Sequence, residues 1–236
     1  MKNLQNKLLV LIAFVLLSLL TVPSAVGQKS KRIEDAANRA REASKVFTEV
    51  MNVRDKAIPR ELLDKAEAIA IFPDVLKAAF IIGGHGGQGI VCRRVRRGWS
   101  APAFFNLAGG SFGAQIGAQK TDYILLIMND DGIQGLLEDK FEVGGGVGVA
   151  AGPVGRELAA STNPRLDAGI LSYSRSKGAF IGAALKGAVI SPDNDLNEAI
   201  YNKKANELLT GKPLTLAEMP AAVRISPRTL SRYSVR

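Results

Sequence analysis

The chain has 236 residues, 31 Lys+Arg against 22 Asp+Glu for a formal charge of +9, and a hydrophobic share of 47%. Its single cysteine excludes an internal disulfide, its single histidine excludes a histidine-rich metal site, and the apolar content is ample for one packed domain. A cationic surplus of this size favours an anionic partner such as a lipid surface or nucleic acid, or serves solubility.

The chain opens with Lys2 and Lys7, an apolar run from Leu8 through Leu20, then Pro23, Ser24, Ala25, Val26 and Gly27. A positive start, a short apolar core and small residues at the end have the layout of a secretory signal. Cleavage before Gln28 is expected, because small Ala25 and Gly27 then occupy the −3 and −1 positions. The alternative, an uncleaved anchor, needs about 20 apolar residues, more than this run supplies. Residues 1–27 are therefore predicted to be a signal peptide, leaving 29 basic and 22 acidic residues, a charge of +7. An exported chain, periplasmic or secreted and held peripherally at a membrane, makes nucleic acid an unexpected partner.

From Ile33, the residues Ala36, Ala37, Ala40, Val46, Phe47, Val50 and Val53 recur at three- and four-residue steps and predict an amphipathic helix. It must end before Pro59, which suits the first turn of a second helix reaching about Ala68. Beyond Ala68 the segments AIAIFP, KAAFIIGG, GIVCRRV, YILLIMND, KFEVGGGVGVA and AGILSYSR are short apolar or alternating runs divided by Gly, Asn and Asp. They predict strands with tight turns. One further helix is expected from Asp193 to Gly211, with Leu196, Ile200, Leu208 and Leu209 on its apolar side. The fold class is thus α+β: a glycine-rich antiparallel sheet or barrel-like core, N-terminal helices and one C-terminal helix, within a single domain over 28–215. Residues 216–236 carry Arg224, Arg228, Arg232 and Arg236 with Pro220 and Pro227. Pro227 argues against a helix, so a disordered basic tail is expected.

Gly109, Gly113 and Gly117 stand four apart, as do Gly178 and Gly182, and Gly144, Gly146 and Gly148 stand two apart. Even spacing keeps glycines on one face of a strand, where they allow close backbone approach or a sharp bend.

Few residues offer catalytic chemistry. Gly84, Gly86 and Gly89 satisfy the dinucleotide fingerprint, but Ile90, Val91 and Cys92 continue as a strand where that motif needs a helix. Asp193, Asp195 and Asn197 imitate a calcium loop, yet Glu198 replaces the required glycine and Lys204 the closing glutamate, so helix capping is the reading. Asp130 and Asp131 before Gly132 read as a turn, and His85 sits among glycines with no orienting partner in its neighbourhood. No enzyme activity, metal or cofactor is expected.

The most distinctive segment is Arg93-Arg94-Val95-Arg96-Arg97-Gly98-Trp99. Two readings are open. Arg93, Arg94, Arg96 and Arg97 could meet phosphates with Trp99 seated at a lipid interface, or the segment could be a protected edge strand with Trp99 in the core. Lys29, Lys31 and Arg32, leading into the first helix, could also touch headgroups.

The ordered series from Ala68 through Ile71, Phe72 and Pro73, then GGHGGQGIV, GWSAPAFFNLAGGSFGAQIGAQKTDYILLIMN and YSRSKGAFIGAALKGAVISPDNDLNEAIY resembles the SYLF domain family, from roughly Ile33 to Leu209. The resemblance implies an α+β domain that binds phospholipids and has no catalytic residues, and it is to the stand-alone exported bacterial type. The lipid contacts it implies fall here on Lys29, Lys31, Arg32 and the arginines from Arg93 to Arg97. Actin, a cytosolic partner of some relatives, is not expected for an exported chain. The rival class is a small outer-membrane β-barrel or structural envelope protein, prompted by the glycine-rich strands but disfavoured by an aromatic content of 6%.

Overall fold

The computed structural model describes residues 25–53, 56–79, 82–96, 98–112, 117–155, 168–176, 178–183, 185 and 187–234. The body of the predicted signal, residues 1–24, lies outside them.

Helix α1 (Ala25–Met51) buries Ala36, Ala37, Ala40, Val46, Phe47 and Val50 of the predicted stripe, and Ala43 besides, while Ile33 and Val53 at the ends of that stripe are exposed. Small residues along its middle let the helix lie close to the sheet, and complete burial of Phe47 contributes about 2–3 kcal/mol. A short α2 (Arg60–Lys65) follows Pro59 and buries Leu62 and Leu63.

Ten strands then form one curled, open sheet: β1 (Ala68–Ala79), β2 (Ile82–Val95), β3 (Gly98–Trp99), β4 (Ala103–Phe112), β5 (Gly117–Ile127), β6 (Phe141–Glu142), β7 (Val149–Ala151), β8 (Ile170–Ser176), β9 (Ala179–Gly182) and β10 (Ala188–Pro192). The order is β6-β10-β4-β2-β1-β5-β8-β7, with β3 paired to β2 and β9 to β8. The pairings are antiparallel except β7 with β8. With β6 and β7 at its two ends the sheet does not close, so these strands do not form the closed barrel considered above.

Helices cover both faces of the sheet's inner half. Ile69 and Ile71 of β1 face a core shared with α1, α2 and Trp99. Ala68, Ala70 and Phe72 face a second core with α3 (Asp130–Leu137) and α5 (Ala205–Thr210). Burial on both sides is the reason these strands read as unbroken apolar runs instead of alternating ones. The outer half is thin: Gly84, Gly86, Gln88 and Gly110 are exposed. A bulge in β1 between Phe72 and Val75, with Asp74 at φ 49°, divides the halves.

Four expectations are corrected. Asp130 and Asp131 open helix α3, because Asn129 caps it by accepting from the Gly132 amide at 3.0 Å. Gly144, Gly146 and Gly148 lie in the connection between β6 and β7, with Gly144 at φ 90°, not along a strand. The helix after Asp193 is two helices, α4 (Asn194–Tyr201) and α5, broken where Asn202 turns left-handed at φ 54°. The fourth concerns the tail. After a short 3-10 turn (Ala221–Val223), α6 (Ile225–Tyr233) is an ordered helix burying Ser226, Pro227, Thr229 and Leu230. Pro227 stands at its third position, where the missing amide would have no helical partner, so the proline does not oppose the helix.

Candidate functional site

The β2–β3 hairpin separates the arginines by strand alternation. Arg94 turns onto the α1 side: its Nε donates to the Ala66 carbonyl at 2.8 Å, and one Nη donates to Ser234 Oγ at 2.8 Å and to the Leu63 carbonyl. The guanidinium carbon lies 4.3 Å from the centre of the Trp99 ring. Arg93 turns to the other face, donating to the Leu209 carbonyl at 3.3 Å and standing 3.8 Å from exposed Asp130. Arg96 is exposed at the turn, and Arg97 lies outside the described residues.

Trp99 is 4% exposed, and this corrects the lipid-interface reading of that residue. Its pairing opposite Arg94 directs the indole into the α1 core, and the guanidinium roofs it. Of the four hairpin arginines, Arg94 works as an internal clasp joining β2, α2 and the end of α6. Arg93 ties β2 to α5, and Arg96 keeps its charge in solvent.

At the start of α1, Lys29 and Lys31 are exposed. Arg32 is half-buried and donates to the Asp195 carbonyl at 2.7 Å, fastening α1 to α4. Two turns further, Arg39 is 8% exposed and grips Asp35 through two bonds of 3.1 and 2.8 Å and Asp193 through one of 2.9 Å. Asp193 also caps α4 by accepting from the Leu196 amide at 3.1 Å, the capping role the sequence assigns it.

A shallow pocket of about 240 Å³ is lined by Asp74, Lys120, Asp122, Arg175, Ser176 and Gly178. Its cations are already committed. Arg175 bonds Asp122 at 2.7 Å and Glu49 as well, and Lys120 meets Asp74 at 3.2 Å. Such a balanced cluster offers no net attraction for an anion.

Among the described residues, no group of three His, Cys, Asp or Glu side chains could hold a metal ion. His85 lies over Gly109 with both ring nitrogens lacking a hydrogen-bond partner; burial, then the facing Lys77, lowers its pKa below 6.5. Burial pushes the Cys92 thiol pKa up strongly, leaving no accessible nucleophile there. Gly89 sits mid-strand, where an added Cβ would collide with the Ile71 carbonyl and the Phe72 ring, and at Gly87 it would meet Val75, so these two glycines serve sheet packing, whereas Gly84 and Gly86 are exposed with room for a Cβ.

Sequence reasoning missed the basic surface of α6. Its signal was present: Val223, Ser226, Pro227, Leu230 and Ser234 are spaced as a helical buried stripe, opposite Arg228 and Arg232.

A helix-covered, glycine-rich sheet with cations at its periphery is the architecture of a SYLF-type domain. Residues 108–225 match the family model described as Ysc84, Las17-binding protein actin regulator, and the chain belongs to this Ysc84 (SYLF) family. It is similar to "LAS seventeen-binding protein 3" of Saccharomyces cerevisiae (strain ATCC 204508 / S288c), 35% identical over 164 residues, 67% of this chain and 36% of that protein. It is also similar to "SH3 domain-containing YSC84-like protein 1" of Homo sapiens, 32% identical over 185 residues, 76% of this chain and 54% of that protein. The chain thus spans between about a third and a half of the length of these relatives.

Proposed function

We propose that this chain is a non-catalytic module that docks on anionic phospholipid headgroups at a membrane surface. The observation that carries this reading is where the cations stand. Lys29, Lys31 and Arg96 are exposed at the margin of a scaffold in which Arg39 and Arg94 are engaged internally. Each basic group beside an anionic bilayer contributes about 1 kcal/mol, and the attraction weakens as salt screens it.

Residues 1–27 are read as a secretory signal, which puts the docking surface in the periplasm or outside the cell and makes actin, part of the family model's printed description, an unexpected partner for this chain. N-terminal sequencing of the exported protein should begin at Gln28. For the lipid reading, the full chain is sedimented with phosphatidylcholine vesicles with and without phosphatidylglycerol, at rising salt. Binding should need the anionic lipid and fade with salt. Equal sedimentation on both vesicle types would refute the electrostatic mechanism.

A further inference from the structure

The C-terminal helix carries cations that the lipid reading above does not use. α6 runs along α1 in the same direction. Ser226 Oγ donates to the Ala40 carbonyl at 3.3 Å, and Ser44 and Ser226 hydroxyls meet at 3.4 Å. A turn and more later, the Phe47 and Tyr233 rings meet edge-on at 5.7 Å, and Tyr233 Oη donates to Asn52 at 3.2 Å. These contacts fix which side of α6 is buried, and therefore which side looks outward.

The outward side holds Ile225, Arg228 and Arg232, all exposed. Arg228 and Arg232 are four residues apart, about 6 Å along the helix, and form no ion pair with any described residue. No Asp or Glu occurs after Glu218. Arg224 behaves differently: its guanidinium donates to Met219 at 2.8 Å and Ala217 at 3.2 Å, stapling the turn before the helix. On α1, exposed Arg41 and Lys45 stand on the helical positions next to the α6 contact line, and Lys45 reaches only a weak pair with exposed Glu42 at 3.8 Å. Two adjacent helices thus offer four cations, with an apolar Ile225 that is 40% exposed beside them.

We propose that the outer face of α6, with the neighbouring rim of α1, is the principal membrane-docking face, and that its occupant is an anionic phospholipid surface. This deepens the lipid reading and depends on it. Charge complementarity selects the occupant: unpaired guanidinium groups on an acid-free helix suit phosphate headgroups, and the exposed isoleucine suits the apolar boundary beneath them. The stretch that reads in the sequence as a loose basic tail is in this view the ordered part of the recognition surface.

The test compares the full chain with Arg228→Gln/Arg232→Gln and with Arg96→Gln in sedimentation on phosphatidylcholine vesicles with and without phosphatidylglycerol. The urea midpoint is measured for each variant. Removing the two α6 charges should weaken binding to phosphatidylglycerol vesicles about 30-fold, near fivefold for each charge, with an unchanged midpoint. Arg96→Gln should cost no more than about fivefold. If the unaltered chain binds and the α6 double variant binds equally well, the face is wrong while the lipid reading stands. If the unaltered chain ignores both vesicle types, both fall. Should the double variant lose its fold, Arg41→Gln/Lys45→Gln decides: reduced binding upholds the face, undiminished binding overturns it. Retention of single-stranded DNA as tight as that of the vesicles would overturn the lipid assignment.

Discussion

Replacing Arg94 should destabilise the protein far more than replacing Arg96, two positions away on the same hairpin. Arg94 donates three hydrogen bonds, to the carbonyls of Ala66 and Leu63 and to Ser234, and its guanidinium covers the Trp99 ring at 4.3 Å. A hydrogen bond from a charged donor contributes about 1.5–3 kcal/mol, and a partly exposed cation–π contact about 0.5–1 kcal/mol. The bare sum, about 5–10 kcal/mol, overstates the loss, since the side chain is only partly buried and water replaces part of what is removed. Arg94→Gln should therefore cost about 3 kcal/mol. Arg96→Gln, at an exposed turn, should stay within about 0.5 kcal/mol of zero. With a urea slope of about 2 kcal/mol/M, the Arg94 variant's midpoint should fall by about 1.5 M. Far-UV circular dichroism gives the midpoint, and the lone tryptophan gives a second probe, red-shifting as its roof is lost. Equal midpoints for the two variants would refute the clasp and return Arg94 to the solvent-facing role.

Three more outcomes follow from the packing and the titration shifts. Gly89→Ala should destabilise by about 2–3 kcal/mol, because the new methyl meets the Ile71 carbonyl, whereas Gly110→Ala, with open space around it, should be nearly neutral in the same urea titration. The Cys92 thiol should resist a thiol-specific reagent in the folded chain and react fully in denaturant, and rapid native labelling would contradict its burial. His85 has a folded pKa below its ordinary 6.5, so the unfolded chain takes up its proton first as pH falls. Stability from this residue is complete above pH 6.5 and should decline as pH drops through 6.5 toward the folded pKa, an effect that His85→Gln should remove from the pH–midpoint curve.

The candidate site was less legible than the fold. Of the three cations read as free before the amphipathic stripe, Lys29 and Lys31 are exposed, whereas Arg32 is half-buried and bonded to the Asp195 carbonyl. The hairpin arginines did not sort themselves, because alternation separates Arg94 from Arg93 but cannot say which face packs on a helix. Arg39 gave no sign of its buried grip, since one of its carboxylates, Asp193, is 154 residues away.

Residue spacing and the single cysteine determined that an α-helix precedes a glycine-divided sheet and that no internal disulfide holds it, while the ordered motifs carried a resemblance to the SYLF family. These properties live in neighbouring residues, where helical and strand periodicities act. Only the tertiary structure decided that the sheet stays open with helices on both faces, that Trp99 lies beneath Arg94, and that the basic C-terminus is a helix. Those outcomes depend on contacts between distant segments: α6 is held by Ala40, Ser44 and Phe47 of α1, whose burial favours the helix more than local propensity opposes it.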